Sequence, residues 1–162
     1  MCLLVYNRRM YKEEVQQSLL AWVRTTQATS AKSFSELWDG RILLELLRKI
    51  ANFQAGELEL IDELEPKIVL ANLKRISKAL AAHYDKHLRN KYDPEFVDLL
   101  SIAQNRNPLE IFKLTLQVFG ACVQAPNKPD FINPIIKLKE EEQQHLMTLI
   151  KEHNFIHSSS QQ

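Results

Sequence analysis

The chain has 162 residues, 45% of them hydrophobic and 25% charged, with a formal net charge of +1. That is the size of one domain with an ordinary core, and so neutral a balance argues against nucleic-acid or membrane binding through overall charge. The two cysteines, Cys2 and Cys122, lack metal-ligand spacing and make a poor disulfide framework, which fits a reducing compartment.

The opening "MCLLVYNRR" has too short an apolar run for a signal peptide, and its charges follow the run rather than precede it. No apolar segment approaches the roughly 18 residues of a membrane span. A soluble intracellular domain is expected. Helical spacing then recurs along the whole chain, with no convincing alternation of apolar and polar residues. "YKEEVQQSLLAWVRTT" reads as a first helix, with Val15, Leu19, Trp22 and Val23 on one face. "ATSAKSFS" is a polar connector that offers Ser33 or Ser35 as an N-cap. "ELWDGRILLELLRKIANF" follows as a single, well-buried central helix. Gly40 inside it costs about 1 kcal/mol relative to alanine, so a neighbouring backbone is expected to need the space.

An acidic loop leads to Pro66, placed for the first turn of a long helix, "KIVLANLKRISKALAAHYDKHLRN". Pro94 restarts the chain for a helix over "EFVDLLSIAQ". "NRN" breaks it, Asn107 caps, and Pro108 opens "LEIFKLTLQVFGACVQ", the most apolar helix. "APNKPDFINP" reads as a turn-rich bridge to a last helix, "EEEQQHLMTLIKEH". The tail "HSSSQQ" has the composition of the start of a linker. The expected organisation is an all-α body over residues 1–137, an extra C-terminal helix over 138–155 packed on it, and a polar tail over 156–162.

The last helix poses a specific question. At about 100° per residue, Leu146, Leu149 and His153 share one stripe. Gln143, Met147, Ile150 and Asn154 share a second, centred roughly 90° away. One stripe suffices to dock the helix, so the second is available for a partner.

Chemistry is sparse. His83 and His87 are spaced i, i+4, the geometry of a two-histidine metal pair, but Asp85 points off their face and no H-E-x-x-H pattern occurs. The reading adopted is solvent-facing helix polars, with no metal and no cofactor. Glu140, Glu141 and Glu142 suit the first turn of a helix, where the dipole favours negative charge. No nucleophile elbow, phosphate loop or dinucleotide turn is present. Cys122 reads as a core residue, no catalytic residue is assigned, and enzymatic activity is not expected.

Charge is unevenly distributed. Residues 34–65 hold eight acidic and three basic residues, whereas residues 66–92 hold seven Lys/Arg (Lys67, Lys74, Arg75, Lys78, Lys86, Arg89, Lys91) against Asp85 alone. The two segments either neutralise each other or leave a basic face, with Lys74, Lys78, Arg89 and Lys91 at its centre, for an acidic polymer such as a microtubule wall.

Several segments match one pattern in order. "LLAWVRT", "LWDGRILLELLRKI" and "LANLKRISKALAAHYDKHL" resemble the first helix, the Asp-Gly signature and the central helix of calponin-homology domains. The C-terminal third, "NPLEIFKLTLQVFGACVQAPNKPDFINPIIKLKEEEQQHLMTLIKE", resembles the end of the Hook domain, with its Ile pair and a final helix of the form Gln-x-x-x-Met-Thr-x-Ile-x-Glu. The resemblance to Hook proteins and their girdin-like relatives implies a calponin-homology-like fold of about seven helices with an additional C-terminal helix. It also implies an activating adaptor of cytoplasmic dynein, whose groove receives an amphipathic helix of the dynein light intermediate chain. On that resemblance Gln143, Met147 and Ile150, with Asn154 beyond, form the partner groove. A cytoplasmic, microtubule-associated setting, centrosomal or ciliary, and dimerisation through a downstream coiled coil are further implications. The alternative is a calponin-homology domain binding microtubules or another filament through its basic face. Three features depart from the family: prolines 126 and 129 in "QAPNKPDF", the scant similarity flanking the first helix, and His145-Leu146 in place of a more aliphatic pair, which predicts weaker docking of the last helix.

Overall fold

The computed structural model describes residues 12–27, 29–54, 58–88 and 92–160, with side chains described as far as Glu152. Among these residues seven α-helices and two 3₁₀ segments surround one hydrophobic core, and no strand occurs. The all-α expectation holds.

Helix α1, Glu13–Gln27, has Glu13 and Glu14 in its first turn, where the dipole favours them, and buries Leu19, Leu20, Trp22 and Val23. Ser33 stands at the N-cap of a 3₁₀ segment, Phe34–Leu37. There the Glu36 carboxylate accepts from the amides of Lys32 and Ser33.

The expected central helix is not one element. The chain turns at Trp38–Gly40, and α2 is short, Arg41–Arg48. Gly40 is not inside a helix but at its N-cap, with φ +81° in the left-handed region. A Cβ there would lie 2.6 Å from Ile76 Cδ1 and 3.3 Å from Leu73 Cδ2. The space is therefore needed by side chains of the next helix rather than by a neighbouring backbone, and the conformation itself favours glycine.

Helix α3, Pro66–His87, begins with its proline at the first helical position, as expected. Its Asn72 side chain pairs with both backbone groups of Ile61, accepting from the amide and donating to the carbonyl at 3.0 Å each. This fixes the acidic loop against the helix without a strand. Helix α4, Leu99–Asn105, starts later than Pro94 suggests, because Asp98 supplies the cap by accepting from the Ser101 amide. Residues 94–97 form turns instead. Arg106 adopts the left-handed conformation that ends α4, and Asn107 caps α5, Pro108–Val123, through the amides of Leu109 and Glu110.

Nearly every residue of α5 is buried, so it forms the centre of the domain. Trp22 meets Phe119 edge to face at 4.8 Å between centroids, and Phe34 meets Phe112 likewise at 5.6 Å. Tyr84 donates to the Gln117 carbonyl at 2.6 Å, joining α3 to α5. Cys122 is fully buried, as expected for a core residue, and burial pushes its thiol pKa up. The segment after α5 is more ordered than a turn-rich bridge: a short α6, Pro129–Ile132, runs into a 3₁₀ segment, Asn133–Lys137. The last helix, α7, spans Glu140–Ser160, so its backbone continues through residues that the sequence reading gave to a polar tail. No described helix is long and apolar enough to cross a membrane.

Candidate functional site

The second stripe of α7 is where an unexplained surface was expected, and its surroundings begin with how the helix is seated. Helix α7 lies chiefly on α1. Leu146 and Leu149 are 0% and 1% exposed, and burying each contributes about 1.5–3 kcal/mol relative to leaving it in water. His145 Nδ1 lies 2.8 Å from Ser18 Oγ on α1. His145 is therefore an anchor, and the departure at His145-Leu146 does not deprive the helix of seating contacts. At the start of the helix, Glu142 accepts from the Lys139 amide at 3.1 Å, serving as a side-chain cap.

The bridge before α7 is fixed too. The indole of Trp22 donates to the Phe131 carbonyl at 2.9 Å. Phe131 and Ile135 are buried, while the adjacent Ile136 is 70% exposed. Gln143 reaches back from α7 and its amide nitrogen donates to the carbonyls of Leu138, at 2.8 Å, and Ile136, at 3.2 Å. Its amide is thus engaged within the domain, leaving Oε1 as the atom that can accept from a partner. One turn along, Met147 is 54% exposed, and Ile150 is half-buried against the core. Gln143, Met147 and Ile150 lie on one helix face with Ile136 beside its start. Asn154 lies outside the described side chains.

Ile136 is the residue that sequence reasoning did not single out. The signal was present in the pair Ile135-Ile136: two adjacent isoleucines in a 3₁₀ segment cannot both face the core, and here Ile135 takes the buried side.

On α3, Lys74, Arg75 and Lys78 are exposed, whereas Arg89 and Lys91 lie outside the described residues. The acidic segment forms ion pairs within itself, Arg41 with Asp39 and Asp62, and Arg48 with Glu45. An open cleft of about 280 Å³ is lined by Arg41, Arg48, Glu45 and Glu59, but its arginines are paired with acids of that segment.

His83 corrects the sequence reading. It is 4% exposed rather than solvent-facing, with ring centroids of Phe53 and His87 at 5.1 and 5.0 Å from its own. Neither of its ring nitrogens has a hydrogen-bond partner. Burial and the neighbouring His87 lower its pKa from the usual 6.5 to about 4. Among the described residues no group of three or more His, Cys, Asp or Glu side chains is placed to hold a metal, so neither Asp85 nor the Glu140–Glu142 run joins such a cluster.

Comparison with known proteins adds the context for this surface. The family model described as the HOOK domain matches residues 14–152. Protein Hook homolog 1 of Gallus gallus is 30% identical over 142 residues, covering 83% of this chain and 20% of that protein. Protein hook of Drosophila willistoni is 29% identical over 150 residues, covering 87% and 22%. The chain thus spans about a fifth of the length of these curated relatives. The solution structure of a conserved domain of HOOK1 protein from mouse superposes with a TM-score of 0.76 at 24% identity, covering 86% of this chain and 90% of that one.

Proposed function

This chain belongs to the HOOK-domain family, and from that premise we propose that it is the helix-capturing module of a cytoskeletal adaptor. The face formed by Ile136, Gln143, Met147 and Ile150 receives an amphipathic helix of the dynein light intermediate chain. The carrying observation is that α7 is seated by Leu146, Leu149 and His145, yet leaves Met147 54% exposed, while Ile136, whose carbonyl accepts from Gln143, is 70% exposed. A helix that only closed the core would have no use for a second apolar face.

The chemistry suits a helix-in-groove mode of binding. Met147 is unbranched and polarizable, so it adapts to different apolar partners. Ile150 is stiffer and half-buried, so it offers a fixed contact. Gln143 is held in one orientation by the Leu138 and Ile136 carbonyls, and its remaining oxygen can satisfy a donor that burial would otherwise strand. The role is recruitment of a motor to a cargo or cytoskeletal structure, not catalysis.

A second reading, direct binding to microtubules or another filament through Lys74, Lys78 and their neighbours, is favoured by their exposure on α3. Ionic strength separates the two. Contacts between exposed charges are screened beyond about 8 Å at physiological salt, whereas an apolar groove tolerates salt. Co-sedimentation with microtubules and capture of a light-intermediate-chain helical peptide, each at low and high salt, form the test. The adaptor reading expects peptide capture to persist and any filament binding to fall away. Filament binding that survives high salt while the peptide is ignored would reverse the order.

A further inference from the structure

We propose that the apolar run Leu3 to Tyr6 folds back onto the Met147 face of α7 and covers it until a partner helix displaces it. This rests on the reading of that face as the partner site, and adds a competitor carried by the chain itself. Residues 1–11 lie outside the described residues, and three features of their sequence and attachment single them out.

The first feature is apolar character. Met147 is 54% and Ile136 70% exposed, and Ile150 is half-buried. Apolar side chains held in water attract apolar surface within reach. Leu3, Leu4, Val5 and Tyr6 supply such a surface, and the run is far shorter than the roughly 20 residues that span a bilayer.

The second feature is the point of attachment. The segment runs into α1, which starts at Glu13 and is the helix on which α7 chiefly lies. Ser18 Oγ and His145 Nδ1 are 2.8 Å apart, which fixes where the two helices meet. Glu13 is five residues from Ser18, and Ile150 is five residues from His145. At about 1.5 Å per residue these stretches place Glu13 and Ile150 at most about 15 Å apart along the axes. Crossing the pair adds about 10 Å. The nine residues from Leu3 to Tyr11 span up to about 30 Å when extended. The run therefore reaches the face whichever way the helices run.

The third feature is charge. Arg8 and Arg9 stand between the run and α1, where Glu13 and Glu14 are exposed. Glu140 and Glu141 are exposed at the start of α7 as well, but Lys137 and Lys139 nearby offset their charge, so the α1 pair is the better match. Exposed ion pairs contribute little individually. The arginines thus orient the segment, and the apolar run holds it.

A weak contact suffices, because a short connection sets an effective concentration of about 1 mM. A contact with a dissociation constant of about 0.1–1 mM between free pieces then gives a closed-to-open ratio of about one to ten. Partner affinity falls in proportion to the open fraction, by about two- to tenfold.

The test uses the full chain with a nitroxide attached at Cys2. Cys122 is fully buried and burial pushes its thiol pKa up, so it stays unmodified. NMR signals are compared before and after reduction of the nitroxide. Signals of Ile136, Gln143, Met147 and Ile150 should broaden more than those of Leu100 and Leu109, exposed on α4 and α5. The same label on a Leu3→Asp, Leu4→Asp chain gives the baseline of a segment tethered but not docked, and the selective broadening should vanish there. Selective broadening that persists in that chain would overturn the proposal. So would broadening of isotope-labelled Cys2→Ser chains mixed with nitroxide-bearing ones, which would assign the face to a second copy. In a second arm, a light-intermediate-chain helical peptide should bind the Leu3→Asp, Leu4→Asp chain about two- to tenfold more tightly than the wild type. Equal affinity for the two chains would overturn the competition. A peptide that binds neither chain would instead refute the partner reading, and the nitroxide arm alone then decides whether the segment covers the face.

Discussion

Ser18 and His145, separated by 127 positions in sequence, are joined by a 2.8 Å hydrogen bond between Oγ and Nδ1. The Ser18 hydroxyl already donates to the Glu14 carbonyl at 2.9 Å. Both contacts are satisfied at once when the hydroxyl proton stays on the Glu14 carbonyl and His145 donates through Nδ1–H. This polar contact, beside the buried Leu146 and Leu149, selects the Nδ1–H tautomer of His145 when both Ser18 contacts are made.

Ser18→Ala should weaken that link by about 0.5–1.5 kcal/mol, the usual net worth of a hydrogen bond. For a domain of this size that lowers the melting temperature by a few degrees, roughly 2–4 °C per kcal/mol. Nitrogen NMR of the histidine ring should find Nδ1 protonated at neutral pH. Hydrogen exchange in α7 should accelerate in the variant more than in α5. Uniform acceleration across the domain would mean that the contact does not act locally.

Leu149→Ala and Met147→Ala should behave oppositely on stability. Leu149 is 1% exposed, so its truncation should cost about 2–5 kcal/mol. Met147 is 54% exposed, and its truncation should change the unfolding free energy by less than about 0.5 kcal/mol. Urea unfolding of the two variants checks this, and equal losses would show that both stripes seat the helix.

Gly40→Ala should cost more than about 1 kcal/mol, since alanine tolerates a positive φ poorly. Part of the cost is the 2.6 Å approach to Ile76 Cδ1. Ile76→Val deletes that atom, so the double variant should be less destabilised than the sum of the singles. Strict additivity would show that the backbone conformation alone sets the penalty.

The legibility of this molecule in its sequence follows from how local each signal is. Asn107 and Pro108 announce a helix start within three residues, and the structure places them at the cap and first turn. Pro66 does the same for α3. Gly40 was misplaced because apolar spacing continues across it, from Leu37 into Leu43 and Leu44, and periodicity cannot register a left-handed residue between a 3₁₀ turn and a helix. His83 was misplaced because its burial depends on Phe53, which no pattern within α3 can reveal. In the candidate site, the seating of Leu146 and Leu149 was readable from the wheel. The engagement of Gln143 with the 3₁₀ carbonyls and the exposure of Ile136 were not, since both depend on how the bridge folds back.

Acid should destabilise the fold through His83. The unfolded chain takes up this proton near pH 6.5, the folded domain only near pH 4. Between these values the unfolded state binds more protons, so stability falls as pH drops. The loss is at most about 1.4 kcal/mol per pH unit, is complete below pH 4, and is absent above pH 6.5. Chemical unfolding of the wild type and His83→Phe at pH 7.0, 5.5 and 4.5 isolates it. The difference between them should shift in favour of the variant as pH falls, and a constant difference would show that His83 does not titrate differently on unfolding.

The central claim, that the second face of α7 receives a partner helix, is tested most directly by calorimetric titration. A C-terminal helical peptide of a dynein light intermediate chain is titrated into the wild-type domain, Ile150→Ala and Met147→Glu, with thermal melts of each protein. Truncating Ile150 removes an apolar contact worth about 1–3 kcal/mol, or roughly five- to over a hundredfold in affinity. The account predicts saturable binding to the wild type, loss or severe weakening in both variants, and a folded, helical domain in each at the titration temperature. Unimpaired binding by Ile150→Ala and Met147→Glu, or loss that appears only where the domain has unfolded, would contradict it.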